Sequence, residues 1–284
     1  MGLVAWLLSI IVLLAAIAAA AFAWAMWRAL RLPAEHPATF LARPRPDGPV
    51  AACCGDSLTH GHIGYDWVSA LRHQLPNWHL VNAGVNGDLA WNLAQRLDAV
   101  IACRPDAVTV LIGSNDAMGA HDPTVAAQQR VEKGLPRIPD IRWYEENLRE
   151  VLARLATETE ARVTLVTLPW VGEDAEASIS GVVEAFNEVI LEVSAEHGLP
   201  VLPLHARMTS LLENRSSPPQ PYEVGPMRRW RIARAIVLHY LFGRSWDRVG
   251  EGLGLLTQCD LVHLNERSGQ ILQNLAAGFL TQRT

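Results

Sequence analysis

The stretch "CCGDSLTHGH" at 53–62 gathers several chemically reactive side chains within ten positions. Three kinds of site are compatible with these letters: a metal site, a redox-active pair of thiols, and the setting of one nucleophilic serine. The side chains concerned are those of Cys53, Cys54, Asp56, Ser57, His60 and His62. The local sequence alone does not choose among the three, so the rest of the chain must.

Ser57 is the candidate nucleophile, and a serine needs a nearby base whose tautomer and orientation are fixed by a third group. His263 is the candidate base, and Asp260, three residues earlier, is the candidate orienting acid. An acyl-transfer intermediate also needs hydrogen-bond donors aimed at its oxyanion. The backbone N–H groups of Ser57 and Gly87 and the side-chain amide of Asn115 are candidates for that oxyanion hole.

Each of these residues also has an ordinary structural interpretation. A serine after Gly-Asp is often a turn or N-cap residue, Asn115 could cap a helix, and His263 could be a loop histidine. Asp56, adjacent to Ser57, is predicted to support the loop by accepting backbone N–H bonds. The functional interpretation gains weight because the candidate residues all follow predicted strands.

His60 and His62 could be bases or metal ligands, but the sequence has no further Cys/His cluster at zinc spacing. We therefore predict neither a metal nor another cofactor. Neighbouring side chains of a strand point to opposite faces, so Cys53 and Cys54 are not expected to pair with each other. The chain's four cysteines, which also include Cys103 and Cys259, are predicted to be buried free thiols, as is typical of a reducing compartment.

The elements that must position these residues alternate between short apolar strands and amphipathic helices. Strands are predicted at 49–54, 78–84, 106–113, 161–169 and 199–204, and helices at 67–75, 88–102, 141–159 and 180–198. This order predicts an α/β fold with a parallel sheet covered by helices on both faces. Ligands of such sheets bind beyond the carboxyl ends of the strands. A last helix follows His263, with Asn265 as its predicted N-cap.

Four ordered motifs resemble those of the SGNH hydrolases, also called the GDSL esterase/lipase family. They are "GDSLTHG" (55–61), "NAGVNGD" (82–88), "GSND" (113–116) and "DLVHLN" (260–265). The resemblance covers about 49–284 and implies a flavodoxin-like three-layer α/β/α sandwich. It also implies a metal-free esterase with Ser57, Asp260 and His263 as its triad, and Ser57, Gly87 and Asn115 as its oxyanion hole. Many members have proline after the histidine, where this chain has Leu264.

The N-terminus has no charged residue from Gly2 to Trp27, long enough for a helix to cross a bilayer. We predict a transmembrane anchor at 1–30, a proline-rich linker at 31–48 and the hydrolase domain at 49–284. A cleaved signal peptide is the alternative, but the apolar run is longer than usual and no Lys or Arg precedes it. Arg28 and Arg31 follow the span, so the positive-inside rule predicts a cytoplasmic domain.

The 284-residue chain has a net charge of −5 and no long basic run, which gives no reason to expect nucleic-acid binding. An insertion at about 206–257 separates the fifth strand from the last motif. It contains a predicted mobile loop at 214–226 and a basic, apolar segment at 227–254. That segment is compatible with a membrane-surface element that could act as a lid, and equally with an ordinary helix whose arginines face solvent.

The anchor and the basic, apolar insertion favour a lipid-like ester substrate, such as a lysophospholipid or another acyl ester. A carbohydrate acetylesterase is the alternative among enzymes, and the family resemblance is compatible with both. A membrane-anchored binding protein that keeps the fold without catalysis is the alternative of another class. The presence of Ser57, Asn115, Asp260 and His263 together argues against that last interpretation.

Overall fold

The computed structural model describes residues 2–213, 215 and 217–282. Its centre is a five-stranded parallel sheet in the order β2-β1-β3-β4-β5. The strands are β1 (Val50–Gly55), β2 (His79–Gly84), β3 (Ala107–Leu111), β4 (Arg162–Val166) and β5 (Val201–Leu202). This is the flavodoxin-like strand order, with helices on both faces of the sheet, so the predicted three-layer α/β/α fold is confirmed.

Fourteen helices are present in the described part of the chain. They are α1 (Gly2–Leu30), α2 (Pro37–Leu41), α3 (Ser57–His60), α4 (Trp67–Gln74), α5 (Ala90–Gln95), α6 (Leu97–Ala102), α7 (Ser114–His121), α8 (Pro123–Glu132), α9 (Ile141–Glu158), α10 (Ser178–Glu196), α11 (Leu204–Leu212), α12 (Pro226–Tyr240), α13 (Trp246–Glu251) and α14 (Glu266–Thr281). Every residue of β1 and β3 is buried, as expected for strands covered on both faces.

Side-chain caps fix where several of these helices begin. Asp66 accepts a hydrogen bond from Ser69 N at 3.0 Å before α4, and Asp140 accepts one from Trp143 N at 2.8 Å before α9. Asn265 accepts one from Ser268 N at 3.2 Å, so it is the N-cap of α14 as predicted. Each cap provides an acceptor for an N–H group that has no partner within its helix.

The segment 88–102 differs from its prediction as one helix, because it forms two, α5 and α6, that meet at Arg96. Arg96 has φ −116°, outside the helical range. Its guanidinium donates to Asp88 Oδ2 at 2.7 Å and to the carbonyl of Gly55 at 2.9 Å. The side chain thus joins the end of β1 to the loop after β2, an arrangement that helical periodicity does not reveal.

The segment 31–48, predicted as a linker, packs against the domain. It contains α2, whose Phe40 is buried against the main core. The carbonyl of Glu35 accepts a hydrogen bond from Asn82 N at 2.9 Å, at the edge of β2. The segment between α1 and β1 is therefore packed against the domain at the edge strand β2.

Helix α1 packs on α12 through its last two turns. Ala25 and Ala29 are fully buried in a small cluster with Ile63 and Ile236. The Trp24 and Tyr240 rings meet edge to face at 6.4 Å. The span Val4–Leu30 is long and apolar enough to cross a membrane, and a signal sequence near an N-terminus has the same properties.

In the described part of the chain, the insertion at about 206–257 comprises most of α11, then α12 and α13. Within the predicted mobile loop 214–226, Asn214 and Ser216 lie outside the described residues. α12 buries Ala235 and Ile236 and leaves Met227 and Trp230 exposed. It is therefore a surface helix with apolar side chains on both its inner and its outer side.

Candidate active site

Ser57 is the first residue of α3, directly after the end of β1. Asp56 caps this short helix, and its Oδ1 accepts a hydrogen bond from Leu58 N at 2.9 Å. Gly55 permits a tight approach here, because a Cβ at that position would lie 2.3 Å from the carbonyl oxygen of Leu111 on β3. The close packing of β1 against β3 thus places Ser57 at the carboxyl edge of the sheet.

Asp260, His263 and Ser57 form a continuous series of hydrogen-bonding groups. His263 Nδ1 lies 2.7 Å from Asp260 Oδ2, and His263 Nε2 lies 3.0 Å from Ser57 Oγ. All three residues are buried, with exposed fractions of 0% for Asp260, 5% for His263 and 8% for Ser57. The structure therefore brings together residues 206 positions apart in the sequence. We call these three residues the triad edge.

Backbone hydrogen bonds within the turn from Asp260 to His263 fix the position of the carboxylate relative to the imidazole. Asp260 Oδ1 accepts hydrogen bonds from Val262 N at 3.1 Å and His263 N at 2.9 Å. Leu261 has φ 81°, an uncommon conformation for a side chain of this size, and its carbonyl accepts a bond from Gly172 N at 2.7 Å. Such local strain is often found at functional sites.

Asp260 is an ionised acid in this environment. Burial by itself would raise the pKa of its carboxyl, but the charge of His263 and hydrogen bonds from His263 and Val262 outweigh burial and lower that pKa. An ionised Asp260 accepts a hydrogen bond from Nδ1–H, which leaves Nε2 unprotonated and able to accept a hydrogen bond from the Ser57 hydroxyl. Leu264, which replaces the more usual proline, is buried, and its carbonyl accepts a hydrogen bond from Tyr65 N at 2.8 Å.

The predicted oxyanion-hole residues face the same cavity as Ser57. Gly87 follows β2 with φ 75°, a left-handed conformation that glycine adopts readily. Asn115 lies in the first turn of α7, after β3, and is buried. Its Nδ2 donates to the carbonyl of Asp88 at 3.0 Å and to Asp56 Oδ2 at 3.2 Å. The amide is thus held beside Ser57 by two acceptors.

The cavity at Ser57 has a volume of about 250 Å³. Leu30 of α1 and Arg228 and Ile232 of α12 form one of its sides, which we call the α1–α12 wall. The other lining residues are Ser57, Ile63, Asn86, Gly87, Asn115, Met118, Val125, Gln128, Gln129, Glu132, Lys133, Val262 and His263. Larger cavities lie at 35–80 and at 45–160, but Ser57 lines neither of them.

The model of the GDSL-like lipase/acylhydrolase family matches residues 53–224, which is more than half of the chain. The chain belongs to this family. The match includes Ser57, Gly87 and Asn115 and ends before Asp260 and His263. Fold and family together make the chain an ester-hydrolysing enzyme. No curated protein matches it.

Solved structures of esterases share the fold. An acetylxylan esterase from Geobacillus stearothermophilus is 17% identical with a TM-score of 0.56, over 85% of this chain and 98% of that one. A lipase/acylhydrolase from Enterococcus faecalis is 20% identical with a TM-score of 0.53, over 82% and 95%. Catalytic mutants of the Geobacillus esterase have been solved at a serine, an aspartate and a histidine.

Three buried carboxyls lie behind the candidate oxyanion hole, and sequence reasoning identified only Asp56. Burial raises the pKa of Asp56 to about 7 and that of Asp116 to about 8. Asp88 forms two salt bridges, from Oδ2 to Arg96 Nε at 2.7 Å and from Oδ1 to Lys133 Nζ at 2.6 Å. Asp88 ends the motif "NAGVNGD" and Asp116 ends the motif "GSND". Their places in these motifs were the sequence signal that could have identified them as site residues.

Glu173 is a third residue that the sequence did not identify, after Asp88 and Asp116. Its carboxylate is buried and accepts from Leu256 N, Thr257 N, Thr257 Oγ1 and Gln258 N at distances from 2.7 to 3.1 Å. It thereby holds the segment that leads into Asp260. An acid directly after the apolar run "LPWVG" was the only signal in the sequence.

The remaining reactive side chains of the opening stretch do not take part in the triad edge. The His60 and His62 rings pack edge to face at 4.6 Å, and His62 Nδ1 lies 3.0 Å from the carbonyl of Arg31. Burial, and then the neighbouring His62, lower the pKa of His60 to about 3. Burial raises the pKa of Cys53 and Cys54 to about 12. Both are free buried thiols, as predicted.

Proposed function

We propose that this protein is a serine esterase that hydrolyses carboxylic ester or thioester bonds through an acyl-enzyme on Ser57. The observation that carries the proposal is the series of hydrogen-bonding groups from Asp260 through His263 to Ser57 at the floor of a cavity. In the Geobacillus esterase the mutated aspartate and histidine are also three residues apart.

The proposed reaction begins when His263 Nε2 accepts the Ser57 hydroxyl proton as Oγ attacks the ester carbonyl. The tetrahedral intermediate collapses, the alcohol takes the proton from His263, and an acyl-serine remains. Water then loses a proton to His263, attacks the acyl carbon and releases the acid, returning the proton to Ser57. Asp260 keeps the imidazole oriented and stabilises its charged form in both steps.

The oxyanion is proposed to accept hydrogen bonds from the N–H groups of Ser57 and Gly87 and from Asn115 Nδ2. Because that amide nitrogen already donates to Asp88 and Asp56, the oxyanion would replace the longer bond, the one to Asp56 at 3.2 Å. Asp56 therefore supports the site by holding Asn115 in place before the charge develops. Preorganised donors of this kind account for a large part of the rate enhancement of acyl transfer.

We further propose a lipid-like ester as the substrate, as the position of α1 supports. Residues 4–23 would be enough for a helix to cross the hydrocarbon core of a bilayer. Leu30 lies seven residues further on, about 10 Å along the helix axis, and lines the cavity beside Ser57. The cavity would then lie at the membrane surface, with an apolar side chain of the anchor in its wall.

The packing of α1 supports a retained anchor over a cleaved signal peptide. Asn86 Nδ2, next to Gly87, donates to the carbonyl of Ala29 at 3.3 Å. Helix α12, with Met227 and Trp230 exposed, is proposed to rest on the same membrane surface. Because Arg28 and Arg31 follow the span, we propose that the catalytic domain is cytoplasmic. Protease added to intact cells should then leave the domain uncut. Digestion of the domain would instead show that it lies outside the cytoplasm.

A carbohydrate acetylesterase is the second candidate, because acetylxylan esterases are among the structures that share this fold. Turnover of p-nitrophenyl acetate and of a long-chain ester by the full-length protein in neutral detergent separates the two. We expect the long-chain ester to have the higher kcat/KM. A preference for acetyl esters, with activity on acetylated xylooligosaccharides, would favour the second candidate.

A fluorophosphonate probe tests the proposed chemistry itself. We expect it to label the folded wild-type protein at Ser57 and not the Ser57→Ala variant, and peptide mass spectrometry locates the adduct. A folded wild-type protein that remains unlabelled and hydrolyses no ester would instead be a binding protein on the same fold.

A further inference from the structure

Two basic side chains, Lys133 and Arg228, line the cavity that contains Ser57, and neither takes part in the proposed reaction. They approach from different elements, since Lys133 follows α8 and Arg228 lies in the first turn of α12. The remaining lining is mixed: it includes the apolar Leu30 and Ile232, several polar side chains, and Glu132, whose carboxylate lies 3.9 Å from Arg229. Two cations in the lining require an explanation, because burying a charge is unfavourable without an opposite charge.

Lys133 contributes a positive charge that its partner does not fully balance. Its Nζ lies 2.6 Å from Asp88 Oδ1 and donates to the carbonyl of Asn86 at 2.9 Å. The same Asp88 carboxylate also pairs with Arg96 at 2.7 Å. One carboxylate thus serves two cations, so Asp88 is not a dedicated partner of Lys133.

Arg228 pairs with no carboxylate in the part of the chain that the structure describes. Its neighbours on α12 do have acidic partners, since Arg229 lies 3.9 Å from Glu132 and Arg231 lies 3.0 Å from Glu223. Arg228 Nη1 instead lies 3.9 Å from the sulfur of Met118, at the cavity. A guanidinium in this position presents donors that suit a phosphate or a carboxylate.

We propose that Arg228 and Lys133 make the site selective for esters that carry an anionic group close to the scissile bond. With the apolar α1–α12 wall, this describes an anionic amphiphile, in which the acyl chain contacts Leu30 and Ile232 and a phosphate or carboxylate meets the two cations. The inference rests on the proposed esterase function and names the substrate class of that same cavity.

The test compares two lipids that differ in charge and share one acyl chain. The full-length protein in neutral detergent micelles is given a lysophosphatidate or a monoacylglycerol, and released fatty acid is measured. We expect kcat/KM to be about tenfold or more higher for the anionic lipid, since a charge-assisted hydrogen bond is worth about 1.5–3 kcal/mol.

Arg228→Gln is the discriminating variant, and its readout is the ratio of the two kcat/KM values. We expect Arg228→Gln to lower this ratio about tenfold and Arg228→Lys to restore part of it, because lysine keeps the charge but not the paired donors. Arg207→Gln, at an exposed position on α11 and outside the cavity lining, is the control and should keep the wild-type ratio. Lys133 also holds Asn86, so its substitution should lower turnover of both lipids.

A soluble pair separates a lipid headgroup from any anion. The pair is p-nitrophenyl hexanoate and the p-nitrophenyl monoester of adipic acid, with inorganic phosphate as a competitor. Preference for the adipate ester and competitive inhibition by phosphate would indicate a general anion site; an anionic preference confined to the lipids would indicate headgroup recognition. Either of these two results would support the proposed selectivity for anionic esters.

Equal kcat/KM values for the charged and neutral members of both pairs, or an Arg228→Gln ratio equal to the wild-type ratio, would overturn the anion selectivity. Fluorophosphonate labelling of Ser57 would still stand in that case, so the esterase proposal would survive. A protein that is neither labelled nor active on any of these esters would contradict the esterase proposal instead.

Discussion

The triad edge and the α1–α12 wall face each other across one cavity, but they are held in different ways. Asp260, His263 and Ser57 are at most 8% exposed and are linked by bonds of 2.7 and 3.0 Å. In the α1–α12 wall, Ile232 packs against a small cluster separate from the main core, and Leu30 is 56% exposed.

This difference assigns different tasks to the two regions. In the triad edge, Ser57 follows β1, and buried hydrogen bonds to Glu173 and Asp260 hold the segment that carries His263. This geometry suits a chemical step that tolerates little displacement. The wall packs helix on helix and leaves apolar side chains exposed, which suits contact with a lipid and the choice of substrate. Variants at the two regions should therefore affect different kinetic parameters.

The largest effect is expected from Ser57→Ala at the triad edge. Loss of the proposed nucleophile should lower kcat about 10⁴- to 10⁶-fold while the protein stays folded, because the substitution removes only the hydroxyl group. Ester hydrolysis and circular dichroism measure the two effects. Ser69→Ala, on α4 and away from the cavity, is the matched control. Activity that persists in Ser57→Ala would remove this residue from the mechanism.

Asn115→Ala should have the next largest effect. Removing one oxyanion donor is expected to lower kcat about 100- to 1,000-fold with a small change in KM, because the donor acts on the transition state. Steady-state kinetics with a soluble ester gives both parameters. A change in KM alone would show that Asn115 binds substrate rather than the oxyanion.

Glu173→Ala tests the support behind the triad edge. Four donors lose their buried acceptor, so we expect the free energy of unfolding to fall by about 3 kcal/mol and activity to fall with it. Urea denaturation measures the first quantity, and Glu176→Ala, at an exposed position three residues on, is the control. Unchanged stability would mean that the 256–258 segment is held by other contacts.

Leu30→Ser tests the wall in the full-length protein. Loss of apolar contact with the acyl chain should raise KM for a long-chain ester about three- to tenfold and leave p-nitrophenyl acetate turnover nearly unchanged. Leu32→Ser is the matched control, since Leu32 is 54% exposed, close to Leu30, and does not line the cavity. Equal effects of the two substitutions would exclude the wall from substrate binding.

The last effect concerns the pH dependence of stability rather than the activity. The pKa values of Asp56 and Asp116, about 7 and about 8, lie above their ordinary value of 3.8, so the folded protein binds more protons than the unfolded chain between these limits. The two carboxyls therefore contribute to the free energy of unfolding. Their contribution is fully present below pH 3.8 and is lost as the pH rises through about 8.

Asp116→Asn removes one of the two raised carboxyls and keeps an acceptor for Ala90 N. It should reduce the loss of stability between about pH 5 and pH 8 by roughly half. Urea denaturation across this range is the measurement. A slope equal to that of the wild type would show that Asp116 is ionised when the protein is folded.

Much of the fold could be predicted because its signals are local. Apolar runs that alternate with amphipathic helices give the parallel sheet, and the first three motifs fall at the ends of β1, β2 and β3. The expectation that all the candidate residues follow strands is wrong for Asp260 and His263, which lie between α13 and α14. The split of 88–102 at Arg96 could not be predicted, since it depends on Asp88 and the Gly55 carbonyl. Glu173 was missed for the same reason, because its four donors lie more than eighty residues away.

The sequence by itself determined which residues were available for chemistry, because a strand followed by Gly-Asp-Ser, or an aspartate three residues before a histidine, is a local pattern. It also determined the apolar length of α1. Only the tertiary structure decided that Leu30 and Arg228 face Ser57 across one cavity, and that His60 and His62 do not join the triad edge. Those relations depend on how α1, α12 and the sheet pack together, and packing brings together residues that no local pattern connects.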